Sequence, residues 1–208
     1  VASATQPDEV RGHVLPVLPL ALLETVRDQD RPVEILEAED LSVSLPRRLG
    51  LTGIVSTQIQ RYEAAVASGS RVPVPELTSL LQLVLRRPDA EPILRETGRR
   101  VARLRLGEHA PFMARVLRRF SRLVFIPIRS AAKRLLRGIA GEAVVEMAKP
   151  LVVRIRPSYT ANLTASACVL YTGALEELIR LYMGQPGTIV HQHCTARGDA
   201  VCEWRIQN

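Results

Sequence analysis

Cys194 and Cys202 stand close to the C-terminus with seven residues between them, in the run His191-Gln-His-Cys-Thr-Ala-Arg-Gly-Asp-Ala-Val-Cys-Glu-Trp-Arg-Ile-Gln. These seventeen residues contain two of the three cysteines, two of the four histidines and the only tryptophan of the chain. Gly198-Asp199 is a turn dipeptide, because glycine accepts positive φ and aspartate bonds to nearby backbone. Val201, Trp204 and Ile206 favour extended structure. The segment therefore predicts a hairpin that folds Cys202 back towards Cys194, with His191 and His193 in reach. Two soft ligands and two imidazoles in one turn narrow what this end of the chain can be.

Three cysteines in 208 residues are too few for a disulfide framework, and an odd number leaves one unpaired. A reduced, cytoplasmic setting is expected. The length suits one domain, with or without an extra N-terminal element, and is enough to bury a core without staples. Only 4% of residues are aromatic, so aliphatic side chains must fill most of that core. No stretch reaches the roughly 18–20 uncharged apolar residues of a membrane span. Residues 13–23 are apolar but contain two prolines and follow no basic segment, which argues against a signal peptide.

The net charge is +7, and Lys133 and Lys149 are the only lysines. Residues 95–137 hold thirteen Arg or Lys against Glu96 and Glu108, a surplus of eleven, so the remainder carries −4. Such asymmetry fits an anionic partner.

In chain order, residues 1–12 read as a loose terminus. Residues 13–23 read as a short apolar element packing across a dimer partner or the domain surface. Residues 33–45 alternate weakly and predict an extended segment ended by Pro46. Residues 51–68 predict a helix with Ile54, Ile59, Tyr62 and Val66 near one face. Pro75 opens a second helix over 76–86. Asp89 is placed to cap a third over 90–106, and Gly107 to stop it. Residues 111–137 predict one long basic amphipathic helix, or two joined near Pro127. A basic helix of this kind serves membranes, nucleic acid or acidic proteins, and also reads as a solvated face over a buried stripe. It carries no DNA-reading motif, so specific nucleic-acid binding is not expected. Residues 143–155 predict one or two strands, with a hairpin near Lys149-Pro150. A helix follows over 161–183, capped by Thr160 or Asn162, and its small residues, Gly173 among them, allow close backbone approach. Residues 188–193 predict a strand, and the terminal hairpin closes the chain.

From about Arg95 onward the chain resembles the four-vinyl-reductase domain, a small-molecule-binding module related to the TRAPP vesicle-tethering subunits and to the sensory domains of phenol-responsive activators. The resemblance rests on Leu94-Arg-Glu-Thr-Gly98-Arg, on Tyr171-Thr-Gly173-Ala-Leu-Glu176-Glu-Leu178, and on Cys194-Thr-Ala-Arg-Gly198-Asp-Ala-Val-Cys202-Glu-Trp204. It implies an α+β fold, a helical layer packed on a small antiparallel sheet, usually as a homodimer. It divides the chain into an N-terminal extension, 1–50, and a ligand-binding domain, 51–208, best matched over 95–208. It also implies an apolar cavity between helices and sheet, with Phe112, Val116, Phe120, Val124, Val145, Met147, Leu163 and Tyr171 as candidate walls.

Some sensory members of that family bind zinc through an upstream cysteine, an acidic residue and the two hairpin cysteines. By position these fall on Cys168, His191, Cys194 and Cys202, with histidine replacing the carboxylate. Cys₃His is a closed structural zinc set. The competing readings are that the cysteines are small buried residues or merely face each other across the hairpin. A histidine-ligated haem is the lesser metal reading, and His193 is expected on the surface. The phenol sensors place a histidine and a tryptophan over their ligand. Trp204 is the only tryptophan here, so an aliphatic or larger apolar ligand fits better.

No catalytic constellation, phosphate-cradling loop or dinucleotide fingerprint is present. His13 and His109 are isolated, and Glu142 and Glu146 suit a solvated sheet face. The sequence thus points to a non-enzymatic sensor or carrier for a hydrophobic ligand, with a zinc clasp. A tethering module would instead dock an acidic protein or anionic membrane through Arg115, Arg118, Arg119 and Arg122. A third reading is an accessory protein or reductase of tetrapyrrole metabolism.

Overall fold

The computed structural model describes residues 12–30, 53–107, 125–139, 145–148, 152–155, 165–185 and 187–207. The fold is α+β. A two-residue strand β1 (His13–Val14) leads into helix α1 (Val17–Gln29), and helix α2 (Gly53–Ser68) follows. Strand β2 (Val72–Pro73) pairs antiparallel with β1 and runs into helix α3 (Val74–Leu85). Helices α4 (Ala90–Leu106) and α5 (Phe125–Ile139) precede strands β3 (Val145–Ala148) and β4 (Val152–Ile155). A 3-10 turn over Ala165–Cys168 enters helix α6 (Val169–Met183), and strands β5 (Thr188–His193) and β6 (Cys202–Gln207) follow. The sheet is antiparallel throughout, in the order β3-β4-β6-β5.

Within residues 13–23 only His13 is exposed. Val17 to Leu22 are buried without interruption, which a helix shows only when neighbours cover it all round, and α1 packs against α2 and α4. The described part of the N-terminal segment therefore belongs to the same hydrophobic core as the helices and sheet. Along α2 the expected face is narrower. Ile59 and Tyr62 are buried, but Ile54 and Val66 are 67% and 44% exposed. Helix α3 begins with Pro75 in its first turn, where a missing N–H costs nothing. Asp89 occupies the N-cap of α4 but makes no capping bond. Its carboxylate binds Arg87 (Nε to Oδ1 2.8 Å), which also grips Asp30 at the end of α1. Pro127 sits in the first turn of α5, and the rest of the helix expected over 111–137, before Phe125, lies outside the described residues. The final helix starts at Val169, later than 161, because Ala165–Cys168 forms the tighter turn. The extended segment expected over 33–45 lies outside the described residues.

Among the described residues, helices α4 and α6 make the most extensive helix–helix contact. A Cβ added at Gly98 would stand 2.0 Å from the carbonyl oxygen of Leu170, and one at Gly173 would stand 2.0 Å from that of Arg95. No side chain other than hydrogen fits between the two backbones at either point. Glu176 then receives Arg95 at 2.6 Å and Arg99 at 2.8 Å, which sets the register of the pair from its solvent side.

The sheet turns one face to the helices. Val153 pairs with Trp204 and Ile155 with Cys202, and all four are buried in the core. The opposite face carries Arg154 paired with Glu203, a 4% exposed carboxylate that Arg154 Nε meets at 2.7 Å and Arg205 Nε at 3.1 Å. As the low aromatic content requires, the core is mainly aliphatic, with Trp204, Tyr62 and Tyr171 as its largest fully buried side chains.

Candidate metal centre

Four of the residues singled out in the sequence converge. Cys168, His191, Cys194 and Cys202 each offer a ligand atom, and these atoms all lie within 4.8 Å of one another. Cys168 comes from the end of the 3-10 turn at the start of α6, His191 from β5, Cys194 from the turn after β5, and Cys202 from the start of β6. The three cysteines are free thiols, all buried. Their spacing has chemical content. Cys168 Sγ lies 3.7 Å from Cys194 Sγ and 3.9 Å from Cys202 Sγ. A tetrahedron with zinc–sulfur bonds of about 2.3 Å has edges of about 3.8 Å. A disulfide would need about 2.05 Å.

Local backbone geometry holds the donors in place. Gly198, at φ 96, ends the 3-10 turn over Thr195–Arg197 in the left-handed region that glycine accepts without strain. Cys194 O accepts from Arg197 N at 2.9 Å and Asp199 N at 3.2 Å. Asp199 Oδ2 in turn accepts the Cys194 N–H at 2.6 Å, and this bond holds the Asp199 carboxyl below its ordinary range. Thr195 lies against the Cys202 sulfur, with its N–H at 3.4 Å and Oγ1 at 3.3 Å. The Cys202 thiol is driven strongly towards the thiolate, first by the hydrogen bond from Cys168 and then by His191 and Thr195. The Cys168 thiol is pushed the other way by its bond to Cys202 and by burial. A divalent cation bound by these sulfurs would displace the thiol protons.

His191 reaches the cluster because of an irregularity. It pairs with Trp204, but His193 pairs with Glu203, so Gln192 is an extra residue in β5. In a regular strand residues three apart face opposite sides. The bulge lets both His191 and Cys194 face the core while His193 turns outward, where Nδ1 lies 3.4 Å from Asp199 Oδ1. The surface position expected for His193 is the one observed. The His191 ring stacks on Trp204 at 4.4 Å with planes 9° apart, and its Nε2 is buried without a hydrogen-bond partner. An orphaned imidazole nitrogen beside three thiols is the environment of a metal ligand. Trp204 is itself anchored, with Nε1 donating to Thr172 Oγ1 at 3.0 Å and Tyr171 edge-on at 5.6 Å.

Thr172, Thr195 and Asp199 thus support the cluster without belonging to it. Asp199 was marked only by its turn dipeptide, and the two threonines by nothing in their local sequence. Among the candidate cavity walls, Tyr171 is buried between α6 and the sheet. Val145 and Met147 pair in register with Ile155 and Val153. Phe112, Val116, Phe120, Val124 and Leu163 lie outside the described residues, as do Arg115, Arg118, Arg119 and Arg122. One cleft of about 400 Å³ among the described residues is charged rather than apolar, lined by Glu96, Arg99, Arg103, Glu176, Glu177, Arg180 and Gly187. No helix among the described residues is long and apolar enough to cross a membrane. No family model matches the chain, and neither the curated proteins nor the solved structures contain a match.

Proposed function

We propose that this protein is a non-enzymatic binding module whose terminal helix and hairpin are fastened together by a structural zinc ion. The observation that carries the metal reading is the spacing of the donors, three sulfurs and one imidazole nitrogen within 4.8 Å, with two sulfur pairs at 3.7 and 3.9 Å. Thiolates with one imidazole suit zinc above the harder divalent cations. Four protein ligands leave no open position, so the ion would act as a crosslink rather than as a Lewis acid. Cys168, His191, Cys194 and Cys202 would tie α6 and β6, which carry part of the resemblance to the four-vinyl-reductase domain, to β5.

That resemblance supports the rest of the reading, a sensor or carrier for an apolar small molecule acting as a homodimer. Elemental analysis joined to native mass spectrometry tests both parts at once. One zinc per chain and a co-purifying hydrophobic ligand are expected. Protein that contains no metal and takes up none after reduction would remove the clasp. Protein that holds zinc but neither retains nor binds any apolar compound would leave the clasp and remove the carrier.

A further inference from the structure

Within the cysteine cluster the sulfurs differ in their neighbours and in their access to solvent. Cys168 Sγ is common to the two short contacts, 3.7 Å to Cys194 Sγ and 3.9 Å to Cys202 Sγ. A disulfide needs a separation of about 2.05 Å, so either pair would close by less than about 2 Å. Cys194 is 0% exposed, Cys168 3% and Cys202 6%, so a small oxidant meets Cys202 first. Thr195 lies against the Cys202 sulfur, with its N–H at 3.4 Å, and the residues that follow it, Ala196, Arg197 and Gly198, are exposed. Cys202 is therefore covered by a single surface turn. A second sulfur beside the most accessible one is the arrangement of a redox-active cysteine pair.

We propose that the cluster is a peroxide-sensitive switch in which Cys202 is the reacting cysteine and Cys168 the resolving one. The switch rests on the zinc reading above and supplies the signal that opens the clasp. Cysteines bound to zinc are thiolates, the form that attacks peroxide. The Cys202 sulfur attacks one oxygen of a hydroperoxide, the O–O bond breaks, and an alcohol (water, from hydrogen peroxide itself) leaves with a proton from solvent. Cys202 is then a sulfenic acid. The Cys168 thiolate attacks that sulfur, the S–S bond forms and hydroxide leaves. Two thiolates have given up two electrons, and the peroxide has taken them up. Two of the four donors are then lost, and His191 and Cys194 alone do not complete a tetrahedral site, so the ion dissociates. The fastening of the elements changes with it. The disulfide keeps the start of α6 joined to β6, whereas His191 and Cys194, on β5 and the turn after it, lose their tie. Among the described strands β5 is at the edge of the sheet and pairs with β6 alone, so oxidation loosens that edge and leaves α6 in place.

The test exposes the full, reduced, zinc-loaded chain to hydrogen peroxide. Released zinc is followed with a chromogenic chelator, disulfides by peptide mapping in the mass spectrometer, and local opening by hydrogen–deuterium exchange. One zinc should be released for each Cys168–Cys202 disulfide formed, and a thiol reductant with added zinc should reverse both. Amides of residues 189–199 should exchange about tenfold faster or more after oxidation, while those of residues 170–182 stay protected. Cys168→His keeps four zinc donors but removes the resolving sulfur. It should bind zinc and, under peroxide, accumulate Cys202 sulfenic or sulfinic acid in place of the bridge. Mapping of the wild-type chain decides the pairing even where that variant fails to fold. Zinc retained under peroxide that fully oxidises a free thiol, zinc lost with no disulfide, or a disulfide that includes Cys194 would overturn the switch and leave the clasp standing. A chain that carries no zinc before peroxide is added, and takes up none, removes the clasp, and the switch falls with it.

Discussion

At the scale of single residues, the cysteine cluster makes the sharpest claim. Replacing Cys194 or Cys202 by serine removes a soft donor and leaves three ligands around a closed site. Each variant should lose most of its bound zinc. Losing the crosslink at a cost of roughly 3–5 kcal/mol would lower the melting temperature by about 10 °C in a domain of this size, readable by calorimetry. The same fall should follow chelation of the wild-type protein, and chelation should leave the variants unchanged. A Cys194→Ser variant with full zinc content would show that the ion, if present, sits elsewhere. Trp204 belongs to the same scale. Its indole N–H bonds to Thr172, its face stacks on His191 and its ring is wholly buried. Thr172→Val keeps the shape but orphans that N–H, and should cost about 1–3 kcal/mol in denaturant unfolding.

Between elements, the contact of α4 with α6 decides the architecture. A methyl group at Gly98 or Gly173 would overlap a carbonyl oxygen of the facing helix, and neither backbone can move aside as a flexible side chain would. Gly98→Ala and Gly173→Ala should each destabilise by about 3 kcal/mol or more, at the upper end of overpacking, and the double variant should not fold. If either single variant melts like wild type, the two helices are not in backbone contact. The arginine surplus seen in the sequence reads differently at this scale. Along α4 it is largely spent on acids, Glu96 within the helix and Glu24, Asp28 and Glu176 on α1 and α6, so most of these cations join elements rather than form an open basic face. Arg87 does the same at the foot of the bundle, spanning Asp30 and Asp89. Arg87→Lys cannot span both carboxylates and should cost about 1 kcal/mol by chemical denaturation.

For the whole molecule, the paired acids set the response to pH. Glu203 is held below its ordinary range by Arg154 and then Arg205. Burial raises Glu177, but Arg180 and Arg103 outweigh it, and the net shift is downward. The folded-state values therefore lie below the unfolded value of about 4.3. Between the two the unfolded chain binds more protons, so the stability these groups confer is complete above that pH and lost as pH falls through the folded values. Melting temperature of the chelated protein should be level from pH 7 to about 5 and drop below about 4. Arg154→Ala should shrink the drop. An acid transition unaffected by Arg154→Ala would mean that other carboxylates control it.

Much of this protein was legible in its sequence. Helical periodicity and breakers marked α2, α3 and α4, because proline and glycine act on the local backbone whatever surrounds them. The rarity of cysteine picked out the pair Cys194 and Cys202, since few other residues offer a soft donor, and the family resemblance added Cys168 and His191. What the sequence could not decide was which face each residue shows. The burial of the first half of α1 on all sides depends on neighbours distant in the chain, and Ile54 is exposed although its spacing matches Ile59 and Tyr62. Most of all, alternation along β5 puts His191 and Cys194 on opposite faces. The extra residue Gln192, visible only once β5 is paired with β6, turns them to the same side. Composition and spacing supply the donors, but strand register is a property of two segments together, and it is register that brings four donors to one point.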